Sequence, residues 1–274
     1  MGAFRRFENG VPSRLRLKSG LVDIHSHVLH GLDDGPATLE DSVAMVRIAV
    51  QYGTTDLVVT PHANHDFCFD PERIALRIAE LADACDDALR LYSGCDLHLS
   101  YENIEDATTN PAKYTINRKT YLLVEFSDLL VFHNTSEILA RFGQAGMVPV
   151  ITHPERNALL RKRVEDIANW VSQGARVQVT AQSLTGKFGG KARDFCRDLL
   201  DRGLVHFVAS DAHDCEYRPP RMDQARDWLL KNYGEKTANI LCATNPRAAI
   251  EGEPLELLPA VAAPGSRNWL RFWR

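Results

Sequence analysis

Short apolar runs alternate with amphipathic segments along most of the chain. Seven runs rich in β-branched residues predict buried strands at 21–25, 57–61, 89–95, 121–124, 148–152, 176–180 and 205–210. Segments with apolar residues at helical spacing predict helices at 39–51, 71–89, 136–143, 164–174, 191–203 and 222–233. Strand-then-helix alternation is typical of a parallel sheet. The pattern therefore predicts an α/β fold, a seven-stranded (β/α)7 barrel of the TIM-like type.

Most of the predicted strands end at a side chain that can bind a metal. His25 and His27 lie one residue apart and point the same way, because side chains alternate faces along an extended chain. The later strands end at His62, Asp96, Glu125, His153 and the pair Asp211 and His213. In such barrels the chemistry takes place at the C-terminal ends of several strands. We therefore expect a metal site there.

Composition narrows the class of protein. The formal net charge is −4, so the chain has no basic footprint for duplex nucleic acid, and no nucleic-acid partner is expected. Its six cysteines include no CxxC pair, which favours reduced thiols in a cytoplasmic protein. No apolar run is long enough for a membrane span, and the N-terminal stretch has no hydrophobic leader.

Several motifs together resemble the polymerase-and-histidinol-phosphatase (PHP) superfamily, within it the bacterial manganese-dependent protein-tyrosine phosphatases that regulate capsule and exopolysaccharide synthesis. The motifs are DIHSH at 23–27, DDGP at 33–36, TPH at 60–62, HPER at 153–156 and SDAH at 210–213. The resemblance implies a distorted barrel. It divides the chain into an N-terminal extension at 1–20, a metallophosphatase barrel at 21–252 and a flexible basic and aromatic tail at 253–274.

The resemblance also implies three divalent metal ions, with manganese expected first and iron or zinc as alternatives. One metal would be bound by His25, His27, Asp96 and Asp211, a second by Asp96, Glu125 and His153, and a third by Asp34, His62 and His213. Arg156 and Arg218 match the arginines that hold the phosphoryl oxygens. Mixed imidazole and carboxylate ligands, without thiolate, suit these metals.

This ligand set contains one departure from the resemblance and one choice between neighbouring residues. Asp96 stands where the resemblance implies glutamate, and a bridging carboxylate that is one methylene shorter must draw its strand inward or lose a metal contact. Asp33 and Asp34 are neighbours, and the motif favours Asp34 as the ligand.

The function implied is that of a phosphoric monoester hydrolase, a protein-tyrosine phosphatase acting on a bacterial tyrosine autokinase. A small-molecule phosphatase of the same superfamily, for histidinol phosphate or a nucleotide, stays open, as does an amidohydrolase-type metal hydrolase. Cys215 to Arg221 fits the C-x5-R spacing of thiol-dependent phosphatases, but two prolines and no glycine make a poor phosphate loop. The Arg- and Trp-containing tail suggests a weak contact with a membrane surface.

Overall fold

Two parallel sheets form the centre of the protein in the computed structural model, which describes residues 20–260. The described strands are β1 Leu21–Asp23, β2 Thr54–Val59, β3 His62–Ala63, β4 Arg90–Ser93, β5 Asp96–His98, β6 Tyr121–Glu125, β7 Val148–Thr152, β8 Arg176–Thr180 and β9 Phe207–Ala209. Each predicted strand is present in whole or in part. The α/β class predicted from the apolar pattern is confirmed.

Two of the predicted strands are each broken in two. Pro61 separates β2 from β3, and proline cannot donate to a strand ladder. Beside it, Gly94 separates β4 from β5, and a Cβ atom at this position would lie 2.8 Å from Val58 Cγ1. Because these two neighbouring strands are interrupted at the same level, the sheet divides into two. One sheet has the order β1-β2-β4 and the other has β3-β5-β6-β7-β8-β9.

This division corrects the prediction of one closed seven-stranded barrel. Among the described residues, the first and last strands meet beyond their ends and not along a shared ladder. Ser26 and Ala212 form an isolated parallel bridge, and His27 N donates to Ala212 O at 2.8 Å. Asp23 supports the same junction, since its Oδ1 accepts from Ser210 N at 3.0 Å and from His25 N at 3.3 Å. The junction brings the segments after β1 and β9 side by side.

Helices cover the outer faces of the sheets. The α-helices are α1 Leu39–Gln51, α2 Pro71–Ala84, α3 Tyr101–Thr109, α4 Pro111–Tyr114, α5 Thr135–Gln144, α6 Val164–Ser172, α7 Ala181–Leu184, α8 Gly190–Asp201, α9 Asp223–Asn239 and α10 Asn245–Glu251. Two short 3₁₀ segments, Ile116–Arg118 and Leu160–Lys162, and a π-helix, Ile240–Thr244, complete them. All six predicted helices are present, whereas α3, α4, α7 and α10 were not predicted.

The second helix shows how local chemistry sets an element's bounds. Asp70 caps its start by accepting from Glu72 N and Arg73 N, and Pro71 occupies the first turn, where its missing N–H costs nothing. The helix ends at Ala84, earlier than predicted. Asp86 and Asp87 both have positive φ values, of 52° and 51°, which a right-handed helix cannot contain.

Apolar side chains pack on both faces of the six-stranded sheet. Leu122 and Val124 of β6 belong to a large core under the helices, whereas Leu123 belongs to a second cluster with Val150 and Phe207. This alternation places the second cluster on the opposite, inner face. Within the described residues, no helix is long and apolar enough to cross a membrane.

The chain beyond α10 is attached to the rest of the fold. Asn245 Nδ2 donates to Glu256 O at 2.9 Å and its Oδ1 accepts from Glu256 N at 2.9 Å. Tyr121 Oη also donates to Glu253 O at 2.8 Å. The aromatic and basic part of the predicted tail, 267–274, lies outside the described residues, as does 1–19 of the predicted extension.

One buried carboxylate ties β2 to two other elements. Asp56 accepts from Arg90 Nε at 2.6 Å and Nη2 at 2.8 Å, and from Arg247 Nη2 at 2.9 Å. Burial alone would raise its pKa, but the bonds from the two arginines outweigh burial and lower the pKa to about 2. The carboxylate thus joins β2, β4 and α10 in its charged form.

Asp56→Asn should lower the free energy of unfolding by about 1–3 kcal/mol at neutral pH, because it removes charge-assisted hydrogen bonds. The folded pKa lies below the unfolded value of about 4. The contribution is therefore present above that value and is lost as the pH falls towards the folded pKa. Urea unfolding at several pH values measures it. Asp194→Asn, on an exposed side chain paired with Arg193, is the control. A loss equal to the control's, or one independent of pH, would contradict the role of Asp56.

Candidate metal centre

The residues predicted as metal ligands converge at the C-terminal edge of the strands. Four overlapping groups of His and acidic side chains lie with one ligand atom each within 4.8 Å of the others, and together they contain His25, His27, Asp34, His62, Asp96, Glu125, His153, Asp211 and His213. Most of these side chains are buried. The strand ends therefore bring every predicted ligand into one cluster.

The first strand supplies the centre of the cluster. His25 Nε2 lies 3.2 Å from His27 Nε2, so the two imidazoles point to one place as the HxH spacing predicts. His25 Nε2 also lies 3.4 Å from Asp96 Oδ2 and 3.5 Å from Asp211 Oδ1. These four donors come from three different strand ends, and all are buried.

Asp33 and Asp34 have different surroundings. Asp34 Oδ1 lies 3.4 Å from His62 Nε2 and 3.3 Å from His213 Nε2, within the cluster. Asp33 Oδ2 instead lies 2.7 Å from His27 Nδ1, behind the ring, and accepts from the His62 backbone N at 3.2 Å. The structure thus places Asp34 as a ligand candidate and Asp33 as the partner that orients an imidazole.

Glu125 lies between two imidazoles. Its Oε2 is 3.6 Å from His62 Nδ1 and its Oε1 is 3.7 Å from His153 Nε2. His153 itself groups with His25 and Asp211, and not with the Asp96 and Glu125 set that the resemblance implies. His62 groups with Asp96 and Glu125 instead, and His27 groups with Asp34, so the neighbours of these residues also differ from the implied sets.

Asp96 reaches two parts of the cluster through one oxygen. Its Oδ2 lies 3.4 Å from His25 Nε2 and 3.5 Å from His62 Nδ1. The register of β3 with β5 sets His62 directly opposite Asp96, so the short aspartate arm has a partner on the neighbouring strand. One oxygen of this short side chain therefore lies within 3.5 Å of imidazoles in two parts of the cluster.

Two ligand candidates have left-handed backbones. His153 follows β7 with φ 32° and Asp211 follows β9 with φ 51°. Such conformations cost non-glycine residues roughly 1–3 kcal/mol and are typical of functional sites. Backbone bonds hold both residues, since His153 N donates to Gln178 O at 2.9 Å and Asp211 N donates to His25 O at 2.8 Å.

The imidazoles divide into two electrostatic classes. Burial alone would lower the pKa of His25 and of His62, but the surrounding carboxylates outweigh burial and raise these pKa values to about 9 and about 10. Burial lowers the pKa of His27 and of His153 to about 4. Without metal, His25 and His62 therefore carry protons that balance the buried acids. A cation bound there would release those protons.

The donor set fits a divalent transition metal. Among the described residues, Asp96 Oδ2 and His62 Nδ1 are buried atoms without a hydrogen-bond partner, although each lies near the other. Buried polar atoms are rarely left unpaired without a role. Imidazole nitrogens and carboxylate oxygens are ligands for manganese, iron or zinc. The cluster is therefore suited to bind metal, and its two unpartnered atoms face each other within it.

The two predicted arginines meet at Asp211. Both Arg156 Nη1 and Arg218 Nη2 form ion pairs with its Oδ2, the second at 2.7 Å. Its Oδ1 faces the imidazoles instead. The Arg156 guanidinium also lies over the Phe188 ring, with Cζ 4.6 Å from the ring centre. One carboxylate therefore sets both guanidinium groups beside the ligand cluster.

Several residues at the site were not predicted from sequence. Gln178 Oε1 lies 3.1 Å from His25 Nδ1 and so orients that ring, as Asp33 does for His27. The side chain of Glu155 is fully buried, where its Oε1 accepts from Thr180 N and Ser183 Oγ. Gln178 lies within the strand whose end carries no ligand, and the HPER motif contains Glu155. Neither pattern indicates such contacts without the fold.

His98 lies in β5 at the mouth of the cluster. Its Nδ1 lies 3.7 Å from Glu125 Oε2. His206 lies away from the cluster as a core residue, since it is buried and its Nδ1 accepts from Val177 N at 3.2 Å.

The C-x5-R segment does not form a thiol centre. Burial and the acidic neighbours Asp41, Asp214 and Glu216 raise the pKa of Cys215, which disfavours the reactive thiolate. Arg221 is paired with Asp223 at 2.7 Å. The spacing is therefore a coincidence in this chain.

Comparison with known proteins agrees with this geometry. The family model for capsular polysaccharide synthesis, CpsB/CapC, matches residues 21–251. The chain belongs to the CpsB/CapC family. Tyrosine-protein phosphatase CpsB of Streptococcus pneumoniae is 32% identical, covering 84% of this chain and 98% of that protein. Tyrosine-protein phosphatase YwqE of Bacillus subtilis is 32% identical, covering 81% of this chain and 88% of that protein.

A solved CpsB/CapC-type structure has the same fold. It comes from work on YwqE of Bacillus subtilis and CpsB of Streptococcus pneumoniae, described as unique metal-dependent tyrosine phosphatases. It matches with a TM-score of 0.82 and 29% identity, covering 88% of this chain and 98% of that one. The phosphotriesterase homology protein of Escherichia coli matches with a TM-score of 0.54 and 14% identity, covering 85% of this chain and 99% of that one. That second likeness shows a shared fold alone.

The turn that carries Asp34 requires glycine at position 35. A Cβ atom there would lie 2.2 Å from the backbone oxygen of His27, a contact that only movement of the backbone relieves. Gly35→Ala should therefore displace Asp34 and His27 and weaken metal binding by about 10–100-fold, the usual effect of disturbing a ligand's support. Metal titration of the metal-free protein measures this.

Gly143→Ala is the matched control, because nothing lies within 4 Å of a Cβ atom there and the residue is in helix α5. It should leave metal affinity unchanged. Equal affinity in both alanine variants would show that the 33–36 turn does not position the ligands.

Proposed function

We propose that this CpsB/CapC family member is a metal-dependent protein-tyrosine phosphatase. The observation that carries the proposal is the placement of two guanidinium groups, Arg156 and Arg218, on one carboxylate of the buried ligand cluster. Metal ligands alone are compatible with many hydrolases. Arginines beside them add a planar, permanently charged clamp for phosphoryl oxygens.

The proposed cofactor is a cluster of three divalent metal ions, with manganese first and iron or zinc as alternatives. The proposed ligands are the nine residues of the cluster, with Asp96 shared between two metals and Asp34, rather than Asp33, as the ligand from the 33–36 turn. Asp96 Oδ2 and His62 Nδ1 are buried atoms without a hydrogen-bond partner, so both would be available to bind a cation. Gln178 and Asp33 would fix the tautomers of His25 and His27.

The side chains account for the main needs of phosphomonoester hydrolysis. Bound divalent cations lower the pKa of a coordinated water and neutralise charge on the phosphoryl group. Arg156 and Arg218 would bind the remaining phosphoryl oxygens, while Asp211 holds the two guanidinium groups in place through Oδ2. Burial of the cluster strengthens each of these charge interactions by excluding water. No covalent nucleophile from the chain is needed.

The proposed substrate is a phosphotyrosine-containing protein, and the partner implied by the family is a bacterial tyrosine autokinase of capsule or exopolysaccharide synthesis. Action on such a kinase's cytoplasmic tail would place the protein in the cytoplasm. We keep the division into an extension at 1–20, a barrel at 21–252 and a tail at 253–274 as a proposal. Weak membrane contact by that tail is a further one.

A small-molecule phosphatase is the second candidate, since the ligand cluster and arginines serve any phosphomonoester. The cavity over the cluster favours the protein substrate. The cavity is open to solvent and its lining includes Phe67 and Asp128, so a side chain that extends from a peptide can enter it.

Chelation should abolish hydrolysis of p-nitrophenyl phosphate and of a phosphotyrosine peptide, and added Mn²⁺ should restore it. Cys215→Ser should keep most of the activity, because the thiol is not needed. Both rates are measured on protein of known metal content. Activity that survives complete removal of metal, or that disappears in the serine variant while metal content is unchanged, would contradict the proposed function.

Arg156→Ala and Arg218→Ala should each cost about 2–4 kcal/mol in transition-state stabilisation, the range for removing one charge-stabilising donor. Both variants should still bind metal, since neither arginine is a proposed ligand. Steady-state kinetics and metal analysis test this together. Arg163→Ala, at an exposed arginine paired with Asp166, serves as the control with wild-type kinetics. Loss of metal from either arginine variant would contradict the assignment.

A further inference from the structure

The mouth of the ligand cluster carries an aromatic side chain for which the proposed chemistry has no use. A cavity of about 310 Å³ opens there, and its lining includes Asp34, His62, Phe67, His98, Glu125 and Phe126. Phe126 is 6% exposed, and its ring is stacked on Trp170 at 5.6 Å, so it belongs to the core. Phe67 is only partly buried and has a ring surface at the cavity.

The Phe67 ring is aligned with a ligand candidate. Its plane lies within 16° of the His62 imidazole, with 6.2 Å between ring centres. This geometry places the phenyl ring beside the ligand cluster, in the lining of the cavity. The organic group of a phosphomonoester bound at the cluster would contact the Phe67 ring if it occupied this cavity.

A local turn fixes the position of Phe67. Asn64 Oδ1 accepts from both Asp66 N and Phe67 N at 2.9 Å, and Asn64 N donates to Phe67 O at 3.3 Å. Asparagine side chains stabilise turns in this way. Because three hydrogen bonds hold the turn, its backbone has little freedom to lose when the ring contacts a ligand.

We propose that Phe67 is a specificity-determining residue that selects aryl over alkyl phosphomonoesters, by stacking on the phenyl ring of phosphotyrosine. This inference rests on the proposed function. Aromatic pairs in offset or edge contact contribute a factor of about 2–10 in affinity beyond the area they bury. The metal ligands and arginines recognise the phosphoryl group, which all phosphomonoesters share. Phe67 contacts the organic group, which differs between aryl and alkyl phosphomonoesters.

Tyr101 provides a matched comparison. It is a second aromatic residue near the strand ends, at the start of α3, but it is 73% exposed and is not part of the cavity lining. Exposed aromatic surface alone would give Tyr101 and Phe67 the same effect. If stacking in the cavity is responsible, replacing Phe67 should change the preference for aryl ligands and replacing Tyr101 should not.

The test uses the metal-loaded protein and two inert phosphonates. Calorimetry measures the affinities of phenylphosphonate and methylphosphonate in wild type, Phe67→Ala, Phe67→Leu, Phe67→Tyr and Tyr101→Ala. Wild type should prefer phenylphosphonate, and Phe67→Ala and Phe67→Leu should reduce that preference by about 2–10-fold. Phe67→Tyr and Tyr101→Ala should keep it. Methylphosphonate affinity and metal content should be the same in all five.

Several results would overturn the inference. Wild type without a preference for the phenyl ligand is one, and a preference that survives in Phe67→Ala is another. Equal weakening of both phosphonates would assign Phe67 a structural role in the cluster. A Phe67→Leu variant that keeps the full preference for phenylphosphonate would show that apolar contact is enough and that no aromatic ring is needed.

Kinetics separate this inference from the proposed function. If wild type hydrolyses a phosphotyrosine peptide and Phe67→Ala has an unchanged KM, the function stands and the inference fails. If wild type hydrolyses no phosphomonoester, the proposed function fails, and the phosphonate affinities still decide whether Phe67 selects aryl ligands.

Discussion

Charge buried at the strand ends is the constraint on which the rest of the site depends. Asp96 and Asp211 are 0% and 2% exposed, and an uncompensated carboxylate at such depth is strongly unfavourable. In the protein without metal, raised pKa values keep protons on His25 and His62, and the two arginines pair with Asp211. Protons and guanidinium groups therefore neutralise part of the carboxylate charge that bound cations would neutralise. A site arranged this way favours cations and binds them in competition with protons.

The strand arrangement explains how so many ionisable groups meet. Pro61 and Gly94 break neighbouring strands at the same level, and the short strands that follow place His62 opposite Asp96. The Ser26–Ala212 bridge joins the segments after the first and last strands, so the HxH pair lies beside Asp211. The interruptions that divide the sheet thus lie directly beneath the ligands. Backbone irregularity is concentrated where the ligands are presented.

Local sequence patterns predicted the elements and the ligands better than the way the strands pair. Period-two alternation and strand ends depend on neighbouring residues, so the position of His153 after β7 was predictable. The division of the ladder depends on contacts between strands far apart in sequence, such as Gly94 against Val58. Orientation of the His25 ring by Gln178 depends on residues 153 positions apart. The unpredicted helix α3 begins at Tyr101 after a Ser100 cap that the apolar pattern did not reveal.

The most direct test concerns Asp96, whose Oδ2 lies within 3.5 Å of imidazoles in two parts of the cluster. Metal per protein, measured for wild type, Asp96→Asn and Asp96→Glu after identical loading, decides whether one oxygen joins two cations. If Asp96 bridges two metals, the asparagine variant should lose more than one metal together with its activity. The glutamate variant should keep its metals and its activity. An asparagine variant with full metal content and a full rate would show that Asp96 is not a ligand and would contradict a cluster joined through it.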